Sequence, residues 1–392
     1  MNNSKYKERA VYLDNAATTR MSDEVKAAME PYLKENFGNA STIYGYGETA
    51  KEALRNARET IAETLEAKPS EIFFTSGGSE SDNWAVKCIA GEYKHKGTHI
   101  ITSKIEHHAI LNSCAYLEQL GYEVTYLDVD EYGLVSPEAV FNAIRDDTTL
   151  ITIMFGNNEI GTIEPILPIG RIAREKGVLF HTDAVQAYAQ IPISVHCYPV
   201  DLLSASAHKF HGPKGTGFLY IREGVKIPSF IHGGAQESGK RAGTENIPGI
   251  VGMAKAAEIA ARGMRRRIQR ETMLRNYLLE KVTHEISGVR INGHRTRRLP
   301  GNANFSIRGV DGASLLILLD EDGICVSGGS ACNTGESRIS YVIRELKVPE
   351  EYAAGTIRMT LSGDTTRADI DAAVASLKQN VARLRDEPCT PG

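Results

Sequence analysis

The chain contains no run of about 18 apolar residues, so no membrane-spanning helix is expected. Met1 to Arg9 is polar and lacks the apolar segment of a secretory leader. Both absences lead to the expectation of a cytoplasmic protein that works away from membranes. The six cysteines (Cys88, Cys114, Cys197, Cys325, Cys332 and Cys389) form no Cys-x-x-Cys pair and no Cys/His cluster with zinc spacing. A zinc module is thereby excluded and no metal site is expected. Scattered cysteines in a long chain imply reduced thiols, most of them buried packing residues. An excess of positive charge is missing too: Lys plus Arg total 45 against 49 Asp plus Glu, a formal charge of −4. That balance argues against a surface built for nucleic acid, and Arg265-Arg266-Arg267 reads as a solvated helix face.

A chain of 392 residues is too long for one small core and suits two linked domains. Amphipathic helical patterns at 22–37, 47–67, 80–93, 108–120, 137–145 and 166–176 alternate with short β-rich runs at 71–75, 99–102, 123–127, 150–155, 178–181, 202–205 and 217–221. Strands separated by crossover helices imply an α/β fold with a mainly parallel sheet covered on both faces. After Pro248 a long helical stretch runs to about residue 286, with a bend or break expected near Gly263. It leads into a smaller α+β part. The expected division is a large domain over 16–258 and a small one built from 1–15 and 259–392. The tail from Asp386 is polar and is expected to be loose.

In an open parallel sheet, ligands sit beyond the carboxyl ends of the strands. Ser76-Gly77-Gly78-Ser79-Glu80 follows one strand and opens a helix, where backbone N–H groups and the helix dipole favour an anion such as phosphate. It is equally an ordinary strand-to-helix turn. Asp183 follows another strand, where a carboxylate can hold the proton of a pyridinium ring; a helix N-cap is its plainer reading. Lys209 follows a third, before Gly212-Pro213, and an amine there can form a Schiff base with an aldehyde. Most lysines are only solvated. Together the three offer contacts for the phosphate, ring nitrogen and aldehyde of pyridoxal 5'-phosphate.

From Tyr12 to about Ile370 the chain resembles the class V aminotransferase family, of the fold type I pyridoxal-phosphate transferases, and within it the NifS-like cysteine desulfurases. The resemblance rests on Tyr12-Leu13-Asp14-Asn15-Ala16-Ala17, Thr75 to Asn83, Glu106-His107, Asn157-Asn158-Glu159, His181-Thr182-Asp183-Ala184-Val185-Gln186, His208-Lys209, Arg241-Ala242-Gly243-Thr244, Ser330-Ala331-Cys332 and Ile357-Arg358, in the family's order. It implies that Lys209 holds the cofactor, that Asp183 pairs with its ring nitrogen and that His107 stacks on the ring and helps to move protons. Gln186 and Asn158 are implied at the phenolic oxygen or the nearby substrate. Ser79, Ser206, His208 and backbone near Gly78 are implied phosphate contacts. Thr244 is implied to reach the phosphate of a second subunit, hence a homodimer. Arg358 is implied to grip the substrate carboxylate through its planar fork, with Asn15, Ala17 and Arg241 near that pocket.

Cys332 decides the reaction. Its surroundings, Ser327-Gly328-Gly329-Ser330-Ala331-Cys332-Asn333-Thr334-Gly335-Glu336, are glycine-rich and small, and read as an exposed, mobile loop of the long type. A thiolate there can attack substrate sulfur. Cys332, Lys209 and His107 are thus the expected catalytic residues. The implied products are alanine and a persulfide that passes to an acceptor such as an iron–sulfur scaffold or a tRNA-thiolation protein. Cys325 reads as core. A selenocysteine lyase, another C–S lyase or an aminotransferase on the same fold is the alternative, and it would not depend on Cys332. Some positions depart from the usual pattern. Ser79 replaces threonine, Phe155 and Tyr44 replace histidines, Ser238 interrupts Glu-Arg-Gly, and Arg338-Ile339-Ser340 replaces Glu-Pro-Ser.

Overall fold

The computed structural model describes residues 10–328 and 339–386. The strands are β1 (Val11–Tyr12), β2 (Ile72–Thr75), β3 (His99–Ser103), β4 (Glu123–Leu127), β5 (Thr148–Thr152), β6 (Leu179–Asp183), β7 (Leu202–Ser206), β8 (Gly217–Ile221), β9 (Val289–Ile291), β10 (Asn302–Ile307), β11 (Ile324–Cys325) and β12 (Thr356–Thr360). Seven form one sheet in the order β2-β8-β7-β6-β5-β3-β4. Only β8 runs antiparallel to its neighbours. Residues of β2, β3, β5, β7 and β8 are buried throughout, as expected where helices cover both faces.

One face of this sheet packs in a core that includes Ile61, Leu65, Phe74, Ile151, Phe180, Phe218 and Met253. The other face packs with Trp84, Ile89, Ile110 and Leu117. A separate core gathers Leu13, Leu278, Val282, Phe305, Leu315, Ile357 and Leu377 around the antiparallel sheet β12-β10-β9. The parallel pairing of β1 with β11 ties Leu13 to that second core.

Two helical expectations are corrected. The stretch expected as one helix over 22–37 is divided into Asp23–Met29 and Pro31–Lys34. Pro31 cannot donate to the preceding turn, so the first helix ends before it. Conversely, the long helix runs unbroken over Ile247–Glu285, 39 residues, straight through Gly263. A mid-helix glycine costs only about 1 kcal/mol, and this helix is held at both ends. Ile250, Met253 and Ala257 bury in the sheet-side core, and Leu274, Leu278 and Val282 bury in the other.

Candidate active site

β2, β7 and β6 run in the same direction and end at one edge of the sheet, with β8 between β2 and β7, and their last residues Thr75, Ser206 and Asp183 deliver the chain to one cleft. Its volume is about 400 Å³. Ala16, Ala17, Gly78, Ser79, His107, Asn158, Asp183, Gln186, Ser206, His208, Lys209 and Arg358 line it, so the cleft brings together most of the residues singled out from sequence. A roomier groove of about 760 Å³ lies elsewhere, near Tyr188, Ile193, Tyr198 and Ala257, and brings no comparable set of lysine, histidine, carboxylate and arginine together.

At the phosphate end, Gly77 has φ +150°, a conformation side chains disfavour. A Cβ on Gly78 would come within 2.5 Å of Val185 Cγ2, so the missing side chain makes room for Val185 behind the turn. The helical run that starts at Gly78 presents its first backbone N–H groups here. His208 is anchored through Nδ1 to Thr18 Oγ1 at 3.1 Å, and burial lowers its pKa to about 4, so it is neutral.

At the ring end, Asp183 is 6% exposed and accepts the Val185 N–H at 2.9 Å. Burial raises its pKa, while His107 and Lys209 pull it back. His107 caps the helix His108–Gln119 by accepting the Ala109 N–H on Nδ1 at 3.1 Å. That bond puts the proton of the neutral ring on Nε2, and burial favours the neutral form. Lys209 Nζ donates to the carbonyls of Ala16 and Ala17 at 2.6 and 2.8 Å. Gln186 Nε2 also donates to Ala16, at 2.9 Å.

At the substrate end, Arg358 is 5% exposed. Its Nη1 donates to the Asn158 carbonyl at 2.9 Å and its Nη2 to Asp14 Oδ1 at 2.7 Å. Arg358 Nε and Asn158 Oδ1 are buried without a partner. Unpaired buried polar atoms are costly, and both residues line the cleft, where a carboxylate and a polar cofactor edge can be received. A half-buried lysine, a carboxylate at a strand end, a glycine-rich helix start and an arginine with an unused donor are the donor set that pyridoxal phosphate and an amino acid need. The residues therefore fit this cofactor.

Three expected residues sit off the main cleft. Asn15 turns its Nδ2 to the Thr360 carbonyl at 2.8 Å. Arg241 does not line the cleft beside Arg358: its Nε and Nη2 hold Glu80 Oε1 and Oε2 at 2.8 and 3.1 Å. Glu80, in the first turn of the helix that starts at Gly78, engages the guanidinium fork and accounts for the difference. Thr244 is exposed and outside the cleft of its own chain. Cys332 lies outside the described residues, as does Arg338. Gly328, immediately before that segment, and Tyr341, shortly after it, both line the cleft. Phe155, in place of a histidine, faces the core and meets Tyr198 edge-on at 5.1 Å. Sequence reasoning gave no role to Asp14, Asp82 or Tyr341, all of which touch the site.

Comparison with known proteins agrees with this geometry. The family model "Aminotransferase class-V" matches residues 11–373. "Cysteine desulfurase IscS" of Methanosarcina thermophila is 51% identical over 99% of this chain and 96% of its own length. "Cysteine desulfurase IscS" of Dictyoglomus turgidum is 52% identical over 96% of each. A solved "NifS-like protein" superposes with a TM-score of 0.90 at 38% identity, covering 96% of this chain and all of that one. Pyridoxal 5'-phosphate is the family's cofactor. The chain belongs to the class V aminotransferase family, among its NifS-like cysteine desulfurases.

Proposed function

We infer that the chain is a cysteine desulfurase, which takes L-cysteine, releases L-alanine and keeps the sulfur as a persulfide on Cys332. The observation that carries this reading is the convergence of Lys209, Asp183, His107 and Arg358 on one cleft in a chain of this family.

Bound pyridoxal phosphate supplies a carbonyl carbon for the substrate amine and a ring that draws electrons from the α-carbon. The residues set up that chemistry. Asp183 meets the ring nitrogen, and His107 covers the ring with Nε2–H as a donor. Gly78, Ser79, Ser206 and His208 hold the phosphate. Gln186 and Asn158 meet the phenolic oxygen or the substrate. Arg358 grips the substrate carboxylate, using the Nε that has no partner in the chain. Lys209 Nζ, placed by the Ala16 and Ala17 carbonyls, takes the α-proton and returns it. The Cys332 thiolate then gives its electron pair to the substrate sulfur, and a sulfur–sulfur bond forms as the carbon–sulfur bond breaks. The pair from the broken bond goes to the β-carbon, which takes a proton and leaves as alanine. No outside oxidant is required, and the persulfide is a reversible state of the thiol.

The same reading makes the protein a homodimer. Phe37, Ile43, Tyr44 and Tyr46 are exposed at 69%, 102%, 58% and 56%, a density of bare apolar side chains that a partner surface would cover. Thr244, outside its own cleft, would serve the partner's phosphate. The division into 16–258 and 1–15 with 259–392 is supported by Leu13 packing with Leu278 rather than with the seven-stranded sheet. Arg241 supports the site from Glu80. No helix among the described residues is long and apolar enough to cross a membrane, in keeping with a cytoplasmic enzyme that hands sulfur to an iron–sulfur scaffold or a tRNA-thiolation protein.

Alanine release from L-cysteine tests the assignment. It is expected from the native protein and not from Cys332→Ala or Lys209→Ala. Equal release by Cys332→Ala would replace the desulfurase with a lyase or aminotransferase on the same cofactor.

A further inference from the structure

The ring end of the cleft contains a carboxyl to which the reaction assigns no task. Asp82 is 1% exposed and lines the cleft beside Asp183. One oxygen of Asp82, one of Asp183 and one nitrogen of His107 all lie within 4.8 Å of one another. Asp82 Oδ1 has no hydrogen-bond partner. His181 Nε2 is 3.8 Å from it, but that nitrogen is within 2.9 Å of Ser204 Oγ, and Nδ1 is within 2.8 Å of Thr152 Oγ1. Burial drives the His181 pKa down to about 3, so it offers no positive charge. The other charged or titratable groups around Asp82 are Glu106, another buried acid, and His107 and Lys209, which lie toward Asp183.

Two carboxylates that share a dry site cannot both ionise, and one retains a proton. The surroundings say which. Asp183 has the Val185 N–H at 2.9 Å, with His107 and Lys209 near, and all three favour its anion. Asp82 has only the neutral Ser204 hydroxyl as a donor, with no backbone N–H and no cation against it, and the charge that acts most strongly on it is that of Asp183, another acid. We propose that Asp82 is a positioning residue that keeps the shared proton, so that the pair carries one negative charge and Asp183 bears it toward the ring nitrogen. Asp82 then acts through Asp183. It prevents the anion from being neutralised in place and keeps a second charge from forming beneath the ring at neutral pH. The ring-nitrogen part of this inference rests on the pyridoxal-phosphate reading; the protonation of Asp82 does not.

Infrared spectroscopy of protein carrying carboxyl-labelled aspartate reads the proton directly, with or without cofactor. A labelled carboxylic-acid carbonyl band is expected at neutral pH in the native chain, fading as the pH is raised, and absent from Asp82→Asn. In protein loaded with pyridoxal phosphate labelled at the ring nitrogen, the nitrogen resonance at neutral pH is expected to match between native and Asp82→Asn, since the amide mimics a neutral acid. At alkaline pH it should move in the native protein alone. The proposal is overturned by a native spectrum with no labelled acid band, by a band that survives Asp82→Asn and vanishes in Asp183→Asn, or by a ring nitrogen that loses its proton in Asp82→Asn at neutral pH. Should Asp82→Asn not fold, Asp183→Asn decides: a labelled acid band that remains in that variant supports the proposal, and a band that is lost with Asp183, or no band in the native protein, overturns it. Failure of the chain to bind pyridoxal phosphate would remove the cofactor reading and leave the infrared result standing.

Discussion

Arg358 and Asp14 hold each other at the edge of the cleft, Nη2 to Oδ1 at 2.7 Å, although they lie 344 positions apart in the chain. Asp14 follows β1, and Arg358 is the central residue of β12. The guanidinium is therefore fixed in place by the chain itself. Nη1 is spent on the Asn158 carbonyl and Nη2 on Asp14, while Nε has no partner among the described residues; on the proposed reading that is where the substrate carboxylate pairs.

Replacing Arg358 with lysine keeps the charge and removes the fork. A charge-assisted hydrogen bond contributes roughly 1.5–3 kcal/mol, so Arg358→Lys should raise KM for L-cysteine by about 10- to 100-fold. Steady-state kinetics would show this. Binding of cysteamine, which has no carboxylate, should change far less. Equal losses for both compounds would place the role of Arg358 elsewhere.

Glu106 carries a pH signature. It is fully buried, with Oε1 accepting from Ser103 Oγ at 2.6 Å and from the Met154 N–H at 3.0 Å. Burial raises its pKa to about 8, against an ordinary 4.5. A carboxyl raised on folding binds its proton more tightly in the native state. Its stabilising contribution is complete below the unfolded pKa and is lost as pH rises from about 4.5 toward 8. Glu106→Gln has no such loss, so the variant should gain on the native protein between pH 5 and pH 8, by up to about 1.4 kcal/mol per pH unit. Urea unfolding of both proteins at the two pH values measures the gain. A difference that does not change with pH would contradict the assignment.

Gly78 and Val185 share one space. A Cβ on Gly78 would lie 2.5 Å from Val185 Cγ2, and overpacking of this kind costs about 1–3 kcal/mol. Gly78→Ala should weaken cofactor affinity by roughly 5- to 100-fold. Adding Val185→Ala should restore most of it, because the clashing methyl is gone. Fluorescence titration of the apoprotein would read both. Independent effects in the double variant would show that the two positions are not coupled.

Ser238 interrupts the usual Glu-Arg-Gly and lies, like Glu237 before it, in the left-handed region, at φ +56°. Glu237 is held there by Arg58 Nη2 at 2.6 Å and by the Phe74 N–H at 2.8 Å. Ser238 has no such reward for its conformation among the described contacts. A non-glycine residue in this region costs roughly 1–2 kcal/mol, so Ser238→Gly should raise the unfolding free energy by up to about 1 kcal/mol. The denaturation midpoint reports it, and a lower midpoint would mean that the serine is held by its surroundings.

Much of the site was legible because its key groups sit at strand ends. Hydrophobic runs mark the strands, and Lys209, Asp183 and the Gly77-Gly78 turn follow directly from them. The pairing of Arg358 with Asp14 was not legible, since it depends on β1 crossing to the C-terminal part of the chain. Asp82 was hidden for another reason. It stands inside a recognised motif, and only the burial of both carboxyls reveals that it shares a site with Asp183. Arg241 is near the phosphate turn in space through Glu80, and local sequence does not contain that contact. Gly263 signalled a break that did not form, because packing at both ends of the long helix outweighs one weak residue.

The claim on which the rest depends is that sulfur moves from L-cysteine to Cys332. The direct measurement is the mass of the peptide that contains Cys332, after the protein is incubated with L-cysteine in the absence of reductant. One added sulfur atom on that cysteine, removed again by thiol reductant, is the predicted result. An unmodified Cys332 in protein that is turning over L-cysteine would contradict the account.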